Sequence, residues 1–438
     1  MNGMVMINSD HDRPAAKIPW LIFLFLAIVF FVANHDWFFS LKGGEDFGTT
    51  VDEFTTVVEK GNLVRRIVFL SLGVFGAAFL LSKGRYKLMV KGTLGWLSLL
   101  LFCWALLSCV WTEESILTVR RLVLIVMFAL AALAVSQRFS PRDLIFWAFF
   151  SSAIYLHVGL AAETALGTFH PLTGGYRFAG TLHPNSQGIN CALLFFASLF
   201  LLNSEGRWRV LLLAIALESL GFLALTKSRT SLACAIITLL LYWLATLPFS
   251  RKVAVLLCLT FVISLGLLVG PFILPSFERV VDLGRGGSDS LTLTGRIPLW
   301  EQMLPYILER PLQGYGYDSF WTPRHIIEIA KGQNWAVSQG HSAYLDLTLG
   351  LGLIGGFVFI LIVIVGIRRA FLAQKLSRNM AFGFMGVALL FSALDGFLES
   401  IVIMTNQVAF INMVALAMLG FSSQYQSKEA GLSWRRSI

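Results

Sequence analysis

AYLDLTLGLGLIGGFVFILIVIVG, residues 343–366, runs for 24 residues with a single charge, Asp346. As a helix it would reach about 36 Å, more than the roughly 30 Å hydrocarbon core of a bilayer. It reads as a membrane crossing, and the rest of the chain repeats the pattern. Apolar runs lie near 18–34, 66–82, 94–111, 120–136, 143–162, 187–203, 209–226, 230–248, 252–274, 380–397 and 403–421, which with 343–366 makes twelve. The expected fold is therefore all-α, a polytopic membrane protein of about 12 transmembrane helices. Composition agrees: of 438 residues, 56% are hydrophobic and only 13% charged, far from the balance of soluble domains. The five cysteines (Cys103, Cys109, Cys191, Cys234, Cys258) fall inside apolar runs without CxxC spacing, so neither a disulfide framework nor a zinc site is indicated.

A formal net charge of +9 would suit a nucleic-acid binder, but Lys and Arg collect in short connections between apolar runs, where they orient helices. No nucleic-acid partner is expected. The basic connections SKGRYK (82–87), QRFSPR (137–142), GRWR (206–209), Arg251 with Lys252, and RRAFLAQKLSR (368–378) recur at every second turn and are placed in the cytoplasm. The alternate connections, among them HDWFFSLKGGEDF (35–47) and TEES (112–115), are acidic or neutral and face the periplasm. About seventeen polar residues precede the first run, and no A-x-A site follows it, so the first span is expected to remain as an anchor. An even number of spans puts both termini in the cytoplasm, in a bacterial inner membrane. The chain then divides into spans one to nine (1–274), a periplasmic loop with amphipathic helices (275–341), spans ten to twelve (342–422) and a cytoplasmic tail (423–438).

In the long loop, TLTGRIPLWEQMLPYILERP carries Leu299, Met303 and Tyr306/Ile307 at a 3.6-residue period, with Thr294 placed to cap the helix and Pro311 to stop it. LQGYGYDSF follows as a tight turn, and a short helix is expected around 323–331.

Charged groups are costly in a bilayer, roughly 2.5–3.5 kcal/mol near a helix centre, so those that break the orientation rule are informative. Lys227 and Arg229 lie in TKSRTS on the expected outer face, where Arg120, Arg121, Arg177, Arg296, His183, His341 and Asp395 also fall. Guanidinium groups bind phosphate oxygens in bidentate geometry at any pH, and a histidine adds a proton carrier near neutrality. Together they read as a transferase site for a lipid diphosphate. Each residue has a plainer reading as well. Arg229 can snorkel to headgroups, Arg296 can be a helix-surface charge, Arg120 and Arg121 can anchor at the interface, and His183 with Asn185 can shape the turn before Pro184. Asp395 is read as orienting His341 or offsetting an arginine; Glu218, near the middle of span seven, as functional or protonated and packing. Tyr315 and Tyr317, with Trp300, Trp321 and Trp335, would stack on sugar rings or anchor at the interface.

Four stretches carry a family likeness: YRFAGTLHPNSQG (176–188), TKSRTSL (226–232), TGRIPLW (294–300) with RPLQGYG (310–316), and QGHSAYLDLTLGLGLIG (339–355). The chain resembles the O-antigen ligase and O-antigen/exopolysaccharide polymerase superfamily, the Wzy and WaaL types. The last stretch fits the pattern of His, a small polar residue, nine residues, Gly, two residues, Gly through His341, Ser342, Gly352 and Gly355. One departure is Leu232, three residues after Arg229 where relatives often space it one further. The resemblance implies a GT-C-like membrane glycosyltransferase using an undecaprenyl-diphosphate-linked glycan donor and a glycan or lipid acceptor, without metal or other cofactor. It casts His341, Arg296 and Arg229 as catalytic and Arg177 as binding substrate, and the reading of the residues themselves adds Arg120, Arg121, Tyr315, Asp395 and His183 as substrate-binding candidates. A polymerase of lipid-linked repeat units, working with a chain-length regulator among the membrane lipids, is the leading reading. A ligase to lipid A-core is the alternative. A transporter or flippase would show charged or broken helices near the midplane of both halves, whereas here polar residues gather at one face.

Overall fold

The computed structural model describes residues 20–35, 51–81, 86–173, 175–203, 206–248, 251, 295–332, 337–400 and 403–425. The expected ninth span, the first part of the long loop with Thr294, and Trp335 lie outside them. Among the described residues, eight helices are long and apolar enough to cross a membrane, and three shorter apolar ones accompany them. In chain order the helices are α1 (Trp20–Asn34), α2 (Val51–Lys60), α3 (Leu63–Leu81), α4 (Gly92–Leu107), α5 (Ser115–Ser136), α6 (Pro141–Ala165), α7 (Pro184–Leu202) and α8 (Arg209–Leu225). They continue as α9 (Arg229–Thr246), α10 (Arg296–Glu309), α11 (Pro323–Ala330), α12 (Ala343–Ser377), α13 (Met380–Asp395) and α14 (Gln407–Gly420). The all-α membrane fold stands, with helix ends mostly within a few residues of the expected spans.

Helices must supply their own backbone bonding in lipid, so side-chain shape decides how they associate. Phe30, Phe128, Trp147 and Phe410, from α1, α5, α6 and α14, interlock with ring centroids 5.0–5.9 Å apart. Between α3 and α5 a Cβ on Gly76 would stand 2.6 Å from the Ala131 nitrogen, so only glycine lets these backbones approach. The central helix α7 is buried along most of its length. Its Asn190 donates to the Ser152 carbonyl (3.1 Å) and accepts from Gln407 (2.5 Å), tying three helices by polar bonds.

The pattern missed the short helix α2 and a pair of strands. Residues Tyr86–Val90 (β1) pair antiparallel with Phe421–Tyr425 (β2), Tyr86 opposite Tyr425 and Val90 opposite Phe421. Arg369 bonds the Lys91 and Leu419 carbonyls beside this ribbon (both 2.9 Å). The sequence places 82–87 in a loop and 423–438 in a tail because five-residue strands with a polar, weakly alternating partner such as FSSQY carry little periodic signal.

At the other end of α4 sits a small lobe of α2, α10, α11 and the turn 310–318, cored by Leu299, Met303, Tyr315, Phe320, Trp321, Ile326 and Ile329. Leu299 and Met303 are buried as their spacing predicts, but α10 opens at Gly295 (φ 81°) without a side-chain cap. The lobe is stitched to α12 where that helix breaks. Gly352 has φ 69° and ψ −176°, which frees backbone groups on both sides. Leu353 N–H donates to the Pro311 carbonyl (2.7 Å), while Tyr315 and Gly316 N–H donate to the Leu349 and Gly350 carbonyls (2.8 and 2.9 Å). The break in α12 is thereby satisfied by the turn, as membrane helices require.

Candidate functional site

The candidate residues meet around a carboxylate the sequence reading passed over. Glu399 follows α13 in the connection to α14, with a side chain only 3% exposed. Its Oε1 accepts from Arg296 Nη2 (2.6 Å) and from Asn185 Nδ2 (2.7 Å), and its Oε2 lies 3.9 Å from His341 Nδ1. Burial pushes this carboxyl up, but His341, Arg296 and His183 outweigh burial and hold it below the usual carboxylate range. It is an anion held among cations. Arg296 uses one edge of its guanidinium on Glu399, while its Nε is buried and bonds no described atom. A further acceptor fits that edge, and a phosphate oxygen has the right chemistry.

Arg177 joins the same network through Asn185 Oδ1 (2.8 Å) and also donates from Nε to the Thr226 carbonyl (3.0 Å). That carbonyl belongs to the turn that starts α9, where Arg229 is the first helical residue, and Phe178 N–H donates to the adjoining Leu225 carbonyl (2.9 Å). The YRFAG segment therefore runs against the TKSRT turn. His183 caps α7 by accepting from the Asn185 N–H (3.2 Å), so it shapes the turn and fixes Asn185 at once.

His341 is itself held by constraint. It adopts φ 48°, a left-handed conformation uncommon for a residue with a side chain, just ahead of α12. Asp346 on the first turn of α12 accepts twice from the Gly340 N–H (2.8 and 3.0 Å), once from Trp321 Nε1 (2.8 Å) and once from the Ser400 hydroxyl. Trp300 Nε1 donates to the Gly340 carbonyl (2.8 Å). Both peptide groups of Gly340 are thus fixed, and Ser400 links this latch to the loop that carries Glu399. Trp300 and Trp321, both named as sugar platforms, have their indole N–H groups committed to the latch.

A second buried carboxylate positions Arg177. Glu163, near the end of α6, accepts from the Ala179 and Gly180 N–H groups (3.0 and 2.6 Å) and from the Tyr176 hydroxyl. It pins the residues on either side of Arg177. Replacing Glu163 by Ala leaves two backbone donors and a phenol without partners, each costing roughly 1–3 kcal/mol when buried. Glu163→Ala is expected to lower the melting temperature of the purified protein clearly. Glu163→Gln, which keeps an acceptor for the two N–H groups, should melt closer to wild type.

Three expectations change. Asp395 is buried and accepts from the Ser231 hydroxyl (3.2 Å) at the start of α9; Glu399, four residues on, occupies the place expected of it beside His341 and an arginine. Tyr315 offers no open face for sugar, because Phe320 and His325 pack edge-on at 5.2 and 5.5 Å, the Arg310 guanidinium lies 4.7 Å over the ring, and its hydroxyl donates to Glu309 (3.0 Å). Arg120 and Arg121 bond the Glu59 carbonyl (3.0 Å) and Asp318 (3.4 Å) instead of the Glu399 network. Glu218, weighed above, faces His157 at 3.4 Å across α6 and α8.

A family model described as O-Antigen ligase (Wzy_C) matches residues 211–360. The chain is thus a multi-pass membrane protein similar, over that segment, to the O-antigen ligase family. Among its relatives is the Exopolysaccharide production protein ExoQ of Rhizobium meliloti (strain 1021), 26% identical over 283 residues. That match spans 60% of this chain and 63% of the relative, less than two thirds of its length. The family match takes in Arg229, Arg296, His341 and the Gly352 break, while Arg177, Asn185 and Glu399 lie outside it.

Proposed function

We propose that the chain is a glycosyltransferase that polymerises undecaprenyl-diphosphate-linked repeat units of a secreted polysaccharide at the periplasmic face of the inner membrane. The observation that carries this reading is the Arg296, Glu399, Asn185 and Arg177 network beside His341: guanidinium groups held in place with a donor edge to spare, next to a group able to move a proton. In the proposed step the acceptor hydroxyl oxygen bonds to the anomeric carbon of the donor glycan as the bond from that carbon to the diphosphate oxygen breaks. The electron pair leaves with the diphosphate, where Arg296, Arg177 and Arg229 offset the developing charge. His341 takes the hydroxyl proton, and the configuration at the anomeric carbon inverts. Glu399 keeps Arg296 and His341 oriented. Polymerase is preferred because the relative carries a name in exopolysaccharide production.

Ligation to lipid A-core or another acceptor is the second reading, favoured by the family description. It would use the same donor site. The test is complementation of a strain lacking the gene, with glycans resolved on a gel at matched membrane levels. Wild type should restore a ladder of repeats, and His341→Ala and Arg296→Ala should leave a single repeat unit. Long unattached lipid-linked glycan in the deletion strain would instead mark a ligase, and ladders from both variants would remove the proposed site.

A further inference from the structure

Four arginines converge at a second place on the lobe-bearing end of the bundle. Arg65 and Arg66 lie in the first turn of α3, Arg120 and Arg121 in the second turn of α5, and all four are half-buried. The Nη2 atoms of Arg66 and Arg120 stand 2.4 and 2.5 Å from the point a Gly61 Cβ would occupy, so they lie within about 5 Å of each other. Backbone carbonyls hold them there: Arg66 Nη2 donates to Lys60 (2.5 Å) and Arg120 Nη1 to Glu59 (3.0 Å). Arg65 Nη2 donates to the Thr405 hydroxyl (3.2 Å), and Arg121 Nε meets Asp318 at 3.4 Å. Among the described residues Asp318, itself 59% exposed, is the carboxylate paired with this group, one negative charge for four positive. Arg121 Nη1 is buried and bonds no described atom.

Headgroup anchors would splay into solvent, where repulsion between like charges is weakest. Here the backbone draws guanidinium groups together instead, an arrangement that suits an external anion of more than one charge. Thr405 follows Glu399 by six residues, so at most about 20 Å of chain separates the two arginine sites, and they flank one connection. We infer that the Arg65, Arg66, Arg120 and Arg121 cluster binds the diphosphate of a second lipid-linked glycan, the acceptor, while the Glu399 network takes the donor. The inference rests on the transferase reading above, because joining two lipid-linked units requires two diphosphates to be held at once.

Native mass spectrometry of the detergent-purified full chain, titrated with undecaprenyl diphosphate, tests it. Wild type is expected to bind two equivalents. The double variant Arg66→Gln, Arg120→Gln should keep one and lose at least tenfold in affinity for the other. Arg66→Lys with Arg120→Lys should retain part of that affinity, separating charge loss from misfolding. Two undiminished equivalents in the Gln variant, one equivalent in wild type, or displacement of the arginine-dependent equivalent by equimolar phosphatidylglycerol would each overturn the inference, the last by marking a phospholipid site. Arg296→Gln should remove the remaining equivalent; its retention would count against the donor site while leaving the second cluster standing.

Discussion

Glu399→Gln should abolish ladder formation in the complementation assay, with a loss of transfer on the order of 100-fold or more, although the substitution changes only an oxygen to an NH2 group. The amide still accepts from Asn185, so the shape of the network survives. What disappears is the negative charge facing Arg296 at 2.6 Å and His341 at 3.9 Å. Removing one member of a buried ion pair leaves the other uncompensated, at a cost of about 3–5 kcal/mol, and side chains move to avoid it. Arg296 and His341 would turn toward solvent, and a 1 Å displacement of a catalytic group is enough for a loss of about 100-fold. A second measurement separates charge from packing. The Glu399 carboxyl titrates lower in the folded chain than its ordinary value, so its stabilisation is complete above the ordinary carboxylate range and is lost as pH falls through the lowered folded value. Wild type should therefore lose melting temperature in acid over a limb that Glu399→Gln lacks. A variant that retained the ladder and showed the same acid limb would exclude Glu399 as the organiser of the site.

The sequence reveals spans far better than it reveals this site. A run such as 343–366 announces itself because lipid leaves so few alternatives to a helix, and the breach of the orientation rule at Arg177, Arg229 and Arg296 flags one face for the same reason. Which arginines act together is a different question, decided by connections whose composition is unremarkable. Arg120 and Arg296 look equivalent in the chain, yet one bonds the end of α2 and the other Glu399. Glu399 was legible in part: a second carboxylate four residues after Asp395, between two apolar runs, is costly enough to question. Its partners were not, because Asn185, Arg296 and His341 come from three distant segments. Tyr315 erred in the opposite direction. An aromatic in a polar loop suggests a binding platform, but this loop folds as a lobe with its own core, and the tyrosine is part of that core.

That lobe depends on one backbone position, and Gly352→Ala is expected to dislodge it. At φ 69° and ψ −176°, Gly352 occupies a region essentially reserved for glycine, where a side chain costs on the order of 1–3 kcal/mol. Strain is the smaller part. An alanine Cβ would stand 2.0 Å from the Leu312 carbonyl oxygen and 2.2 Å from its carbon, backbone atoms that cannot rotate aside. The 310–316 turn must therefore lift, giving up the bonds from Leu353, Tyr315 and Gly316, each worth roughly 0.5–1.5 kcal/mol net. Together these place the loss at about 3–6 kcal/mol, enough to detach the lobe while the apolar helices stay in the membrane. Because α10 carries Arg296 and the latch on Gly340 closes over α12, lobe detachment should end transfer without altering any residue that touches substrate. Chymotrypsin should then cut after Tyr315, which the folded lobe buries, in the variant well before it does so in wild type, and the variant should melt earlier. Gly221→Ala is the control, since its Cβ would meet nothing within 4 Å and a helical alanine is favoured over glycine. Equal digestion and melting of Gly352→Ala and Gly221→Ala would mean that the turn, rather than the glycine, sets the break in α12.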